Sequence, residues 1–140
     1  MEIERCKKRL SVLWFSGTAF IIFILILQTI FGRYGNKSDE VWKWLLPTIM
    51  PTLSLIVSVL ITDINANKSI KTKTVDTFYY RISFATSATY LIIVSLTILL
   101  QPFSSFPPLE LIRHSNLWLG PLQGIVSGLI GAFFVKSIKQ

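Results

Sequence analysis

The chain has one cysteine, Cys6, and one histidine, His114. No disulfide can form within it, and a metal centre built from Cys and His ligands is excluded. Charge is scarce as well: 15% of the 140 residues are Asp, Glu, Lys or Arg, against 51% hydrophobic. That balance does not suit a water-soluble domain. The charges avoid four long stretches altogether, Leu10 to Gly32, Trp44 to Thr62, Ile82 to Leu109 and His114 to Val135. Proton-coupled carriers, pumps and voltage sensors need ionisable groups inside the membrane. Ion-coupled transport is therefore not expected. The chain does not resemble the small multidrug exporters of similar length and helix count, which need a membrane-embedded acidic residue.

Catalytic patterns are also missing. There is no phosphate-binding glycine loop and no metalloprotease helix motif. Asp63 and Asp76 are the closest approach to a carboxylate pair, without neighbours that would separate their pKa values. No catalytic residue, metal or cofactor is expected, and the chain reads as a non-enzyme.

What is present is apolar length. About 20 apolar residues at a rise of about 1.5 Å cross a hydrocarbon core of about 30 Å, and lipid forces such segments to be helical. The prediction is an all-α membrane protein, one transmembrane domain over 1–140, with helices over 10–32, 42–62, 79–101 and 117–136. A barrel would need alternating short strands, which are not seen. The first run follows Lys7, Lys8 and Arg9 but is too long for a signal sequence and lacks a clear cleavage site, so it is read as a retained helix. No internal repeat is convincing at this level.

Basic residues set the expected orientation. Arg5, Lys7, Lys8 and Arg9, then Lys68, Lys71, Lys73 and Arg81, then Lys136 and Lys139 fall on one side, and Arg33, Lys37, Lys43 and Arg113 on the other. The richer side is expected to be cytosolic, with both termini. The net charge of +7 is then explained by topology and anionic lipid rather than by nucleic acid, although the basic loop Lys68, Lys71, Lys73 and Arg81 also suits a soluble cytosolic partner.

Local features refine the spans. Ser38, Asp39 and Glu40 offer an early start to the second helix, which would place Pro47 and Pro51 inside it and imply a bend. Pro107 and Pro108 predict a short interfacial helix in the third loop. Trp14, Trp42, Trp44, Trp118, Tyr79 and Tyr80 read as interfacial anchors. Cys6 reads as a free thiol near the membrane, where palmitoylation is an option.

Two patterns point towards function. Gly120, Gly124, Gly128 and Ala132 recur every fourth residue, with Gly131 and Ser127 adjoining. Glycine weakens a helix, so this spacing implies another helix backbone passing close by, in the same protomer or in a second copy. Such repeats resemble the glycine zippers of many small oligomeric channels. Ser83, Ser87, Tyr90, Val94, Thr97 and Gln101 form one weakly polar stripe on the third helix, either packing against a neighbour or lining a pore. The leading expectation is a homo-oligomeric channel or membrane-permeabilising protein in the cell inner (plasma) membrane, with membrane lipids around it. The alternative is a non-conducting scaffold that recruits a soluble partner. The latter suits bacterial defence systems, which often pair a small multi-span protein with a soluble sensor.

Overall fold

The computed structural model describes residues 2–65 and 76–138. The elements are α1 (Ile3–Ile30), a 3-10 turn (Gly35–Lys37), α2 (Ser38–Asn65), α3 (Thr77–Leu99), a second 3-10 turn (Gln101–Phe103) and α4 (Pro108–Ile138), with no strand among the described residues. Each helix has a local reason to start or stop. Gly32 and Gly35 take φ values of +68° and +52°, a left-handed geometry that ends α1 and turns the chain into α2. Asp39 and Glu40 occupy the first turn of α2, where carboxylates complement the helix dipole. Asp76 caps α3 by accepting the Phe78 N–H at 3.0 Å.

The four helices are each long and apolar enough to cross a membrane. Even α3, the shortest at 23 residues, reaches about 35 Å. That is the architecture of a small multi-pass membrane protein.

Contacts fix the arrangement. Helix α1 packs on α2 and α3, and α4 packs on the same two, so α2 and α3, consecutive in the chain, are diagonal to one another. Along α2 and α4 the contacts run Glu40 to Arg113, Thr52 to Ser127 and Leu55 to Gly131, which makes those two helices parallel. Lys7 at the start of α1 meets Asp63 at the end of α2, so α1 and α2 are antiparallel.

Which side chains face in follows a spacing of three and four. On α1 these include Cys6, Leu10, Trp14, Thr18, Ile21 and Leu25, and on α4 Ile112, Ser115, Leu119, Val126, Ile130 and Phe133. The interior mixes large apolar rings with hydroxyls, while Phe20 (52% exposed), Phe23 (60%) and Ile30 (72%) point outward. A water-soluble bundle does not turn a face of that kind to solvent, whereas lipid accepts it.

Several sequence expectations change here. Helix α1 begins at Ile3 and includes the basic cluster, so Lys7 lies within the bundle. Helix α2 starts early, at Ser38, and both prolines are interior. The turns expected after Pro107 are helical but continuous with the fourth span, forming one helix from Pro108 rather than a separate segment. Trp14, Trp44 and Tyr80 are buried and serve as core packing instead of anchors, whereas Trp118 and Tyr79 are exposed. Cys6 is fully buried, which removes it from the membrane surface where acylation occurs.

Candidate functional site

The polar stripe of α3 turns inward along its whole length: Ser83, Ser87, Tyr90, Thr97 and Gln101 are all buried. Tyr90 sits beside Trp14, ring centroids 6.0 Å apart, and its hydroxyl donates to the Thr48 carbonyl at 2.8 Å. The stripe therefore packs the protomer's centre, with aromatic rings filling the space between hydroxyls. Ser87 Oγ, Thr18 Oγ1 and Trp14 Nε1 are buried without a hydrogen-bond partner.

Proline positions account for two further contacts that the sequence reading missed. Pro51 has no N–H to give the carbonyl one turn back, that of Pro47, and Gln123 of α4 supplies the donor at 2.8 Å. Pro102 likewise leaves the Ile98 carbonyl unserved, and Gln28 of α1 donates to it at 3.2 Å. In both cases a glutamine from the parallel neighbour replaces the missing backbone donor. The signal was available: a proline in or just after a span, and a lone amide on another span, are each costly in lipid unless they meet.

Gln28 also joins Tyr34, whose hydroxyl lies 2.5 Å from Gln28 Oε1 and 2.6 Å from Gln101 Oε1. One phenolic proton cannot serve two acceptors, while Gln101 Nε2 is buried without a partner. Turning the Gln101 amide over satisfies the count: its N–H donates to Tyr34, and Tyr34 donates to Gln28. Burial pushes the Tyr34 phenol up to about 12, with Arg33 and the Gln101 hydrogen bond acting the other way.

Ion pairs close the two ends. Lys7 donates to Asp63 at 2.6 Å and lies 5.7 Å from the Phe134 ring centre. At the opposite end Arg113 meets Glu40 at 3.1 Å. Asp63 and Asp76 therefore do separate work, one in this pair and the other as the cap of α3.

The glycine row of α4 faces away from the bundle. No atom lies within 4 Å of a Cβ built at Gly120, Gly124 or Gly128, and Ala132 is exposed in the same direction. Gly131, on the adjoining face, meets Leu55 at 3.7 Å. Within the protomer the glycine in tight contact is Gly17 instead, which receives the Leu91 side chain: an added Cβ would lie 2.8 Å from Leu91 Cδ1. Between α2 and α4, a half-open cleft of about 170 Å³ is walled by Lys43, Trp44, Pro47, Asn116, Gly120 and Gln123.

No family model, curated protein or solved structure matches the chain. Function is therefore read from the geometry. Arg81 stands exposed at the first turns of α3, and Lys68, Lys71 and Lys73 lie outside the described residues.

Proposed function

We propose that the chain is a small homo-oligomeric protein of the cell inner (plasma) membrane, with no catalytic centre, whose copies meet along the outward glycine row of α4 and form a channel or membrane-permeabilising assembly. The observation behind this reading is that Gly120, Gly124 and Gly128 have open space where a side chain would be, on a span-length helix. A row of that kind admits another helix backbone closely enough for dispersion and weak Cα–H hydrogen bonds to hold the pair in lipid. Packing inside the protomer, the other explanation for the row, has no support from these positions.

Any conducting path would run between copies. Trp14 and Tyr90 are among the largest fully buried side chains, and together they fill the space beside the α3 hydroxyls. Planar-bilayer recording of purified protein tests the proposal: discrete conductance steps that disappear in Gly128→Leu are expected, and silence over a range of voltages and lipid compositions rules out conduction.

The filled protomer interior also favours a second reading, a non-conducting scaffold that binds a soluble cytosolic protein through Lys68, Lys71, Lys73 and Arg81. Charge reversal at the three lysines would then abolish partner capture without changing oligomer mass. Loss of conductance with partner capture intact would exclude the scaffold instead.

A further inference from the structure

The exposed side of α2 divides into two stripes. Leu46, Met50, Val57 and Ile61 make an apolar one, and Pro47, Pro51, Ser54, Ser58 and Thr62 make one of small and hydroxyl-bearing residues. Steps of three, four and seven residues keep each stripe on one side of the helix. Leu46 and Met50 stand against Thr18 and Ile22 of α1, whereas the Pro47 carbonyl meets Gln123 of α4. The hydroxyl stripe therefore borders α4, and a furrow runs down the outside of the protomer between the two helices. The register of Thr52 on Ser127 and Leu55 on Gly131 brings Ser54 level with the turn from Gly128 to Gly131, beside the outward glycine row.

Polar atoms in this furrow lack donors. Gln123 gives an amide N–H to the Pro47 carbonyl, which fixes the amide's orientation and leaves Oε1 an acceptor with no partner among the described residues. The Ser54 hydroxyl has no partner there either. Ser58 and Thr62 donate to carbonyls of their own helix, those of Ser54 and Ser58, at 2.8 and 2.9 Å. Lipid tolerates hydroxyls bonded in that way. It does not satisfy a carboxamide oxygen, because hydrocarbon has nothing to donate. Water does. A second copy seated on Gly124 and Gly128 would add a third wall and shut the furrow off from lipid.

We propose that this closure turns the furrow into a water-filled path lined by Ser54, Ser58, Thr62 and Gln123, through which small hydrated ions pass. The path depends on the proposed self-association through α4. Its lining is uncharged, so it has no electrostatic preference for one sign of ion.

Thiol labelling in proteoliposomes tests the water in the furrow without requiring a current. Ser54→Cys, Ser58→Cys and Val57→Cys are near-isosteric changes that keep the fold, and wild type, with only the buried Cys6, sets the baseline. A membrane-impermeant methanethiosulfonate reacts with thiolate, which forms in water and not in lipid, so Ser54→Cys and Ser58→Cys should gain the label at least about tenfold faster than Val57→Cys by intact mass. Adding Gly124→Leu to Ser58→Cys should bring its rate down to that of Val57→Cys. Labelling at both serine positions no faster than at Val57→Cys, or a Ser58→Cys rate that Gly124→Leu leaves unchanged, overturns the proposal. Fast labelling in a protein that passes no current upholds the wet furrow and rejects conduction. Conductance with both serine positions unreactive rejects the furrow and upholds conduction by another route.

Discussion

Gln123 donates its side-chain amide to the carbonyl of Pro47 at 2.8 Å, and that carbonyl is the one Pro51 cannot serve. A broken rung in α2 is thus mended from α4. Removing the amide in Gln123→Leu leaves the Pro47 carbonyl without its donor and should destabilise the protomer by about 0.5–1.5 kcal/mol, the net worth of one hydrogen bond. Pro51→Ala restores a backbone N–H, so the double variant Pro51→Ala/Gln123→Leu should recover most of that loss. Denaturant unfolding of the four proteins as a double-mutant cycle measures the coupling, and additive effects would contradict it.

Tyr34 couples alkaline stability to a buried phenol. Its folded-state pKa is raised to about 12 by burial, above an unfolded value of about 10. The raised value favours the neutral form in the fold, so its stabilisation is complete below about pH 10 and disappears as pH climbs through the folded value. A loss on the order of 2 kcal/mol is expected from this group over that window, and Tyr34→Phe should remove that share of the pH dependence. Unfolding midpoints between neutral pH and about pH 12 check both statements.

The Lys7–Asp63 pair is asymmetric, with side chains 9% and 38% exposed respectively. Asp63→Asn strands a buried ammonium and should cost about 1–3 kcal/mol, reduced from the fully buried case because water reaches the carboxylate. Lys7→Met removes the charge and keeps the apolar stem against Phe134, and should come within about 1 kcal/mol of wild type. Thermal unfolding in detergent distinguishes them, and equal damage from both would mean that the pair acts as a unit.

Glycine substitutions separate assembly from folding. Gly124→Leu and Gly128→Leu point into open space, so they should lower oligomer mass while leaving protomer unfolding unchanged. Gly17→Ala should leave oligomer mass unchanged and move protomer stability by less than about 1 kcal/mol, because its new Cβ meets the movable end of Leu91 and the gain in helix propensity offsets the repacking. Mass photometry paired with unfolding curves reads both effects.

Much of this molecule is legible from its sequence, and the rest is missing for definite reasons. The spans are readable because lipid demands helices of fixed length, so charge-free runs announce themselves. The inward stripe of α3 follows from a spacing of three and four, which shows that Ser83 through Gln101 share a face but not what that face meets. The glycine row suffers the same limit, since a small residue reports room for a neighbour and not the neighbour's identity. Gly17 went unremarked because a single glycine among Phe15, Phe20 and Phe23 forms no pattern. Trp44 and Trp118 look alike in sequence, each followed by a leucine and, three residues on, by a proline, yet one is buried and the other exposed. Leu45 and Leu119, both buried, hold matching places in the two parallel helices. That correspondence is the clearest trace of likeness between the two halves, and it emerges only when the helices are set side by side.

The glutamine that completes a proline's missing rung also has a meaning for descent. Pro51 and Gln123 are one character written at two positions. In relatives of this chain, loss of Pro51 would release Gln123 from service, and an amide without an acceptor in lipid would soon be replaced by something apolar, whereas Gln28 would still be held by Tyr34. Pro51 and Gln123 will therefore change together, long after the surrounding leucines and isoleucines have been exchanged freely.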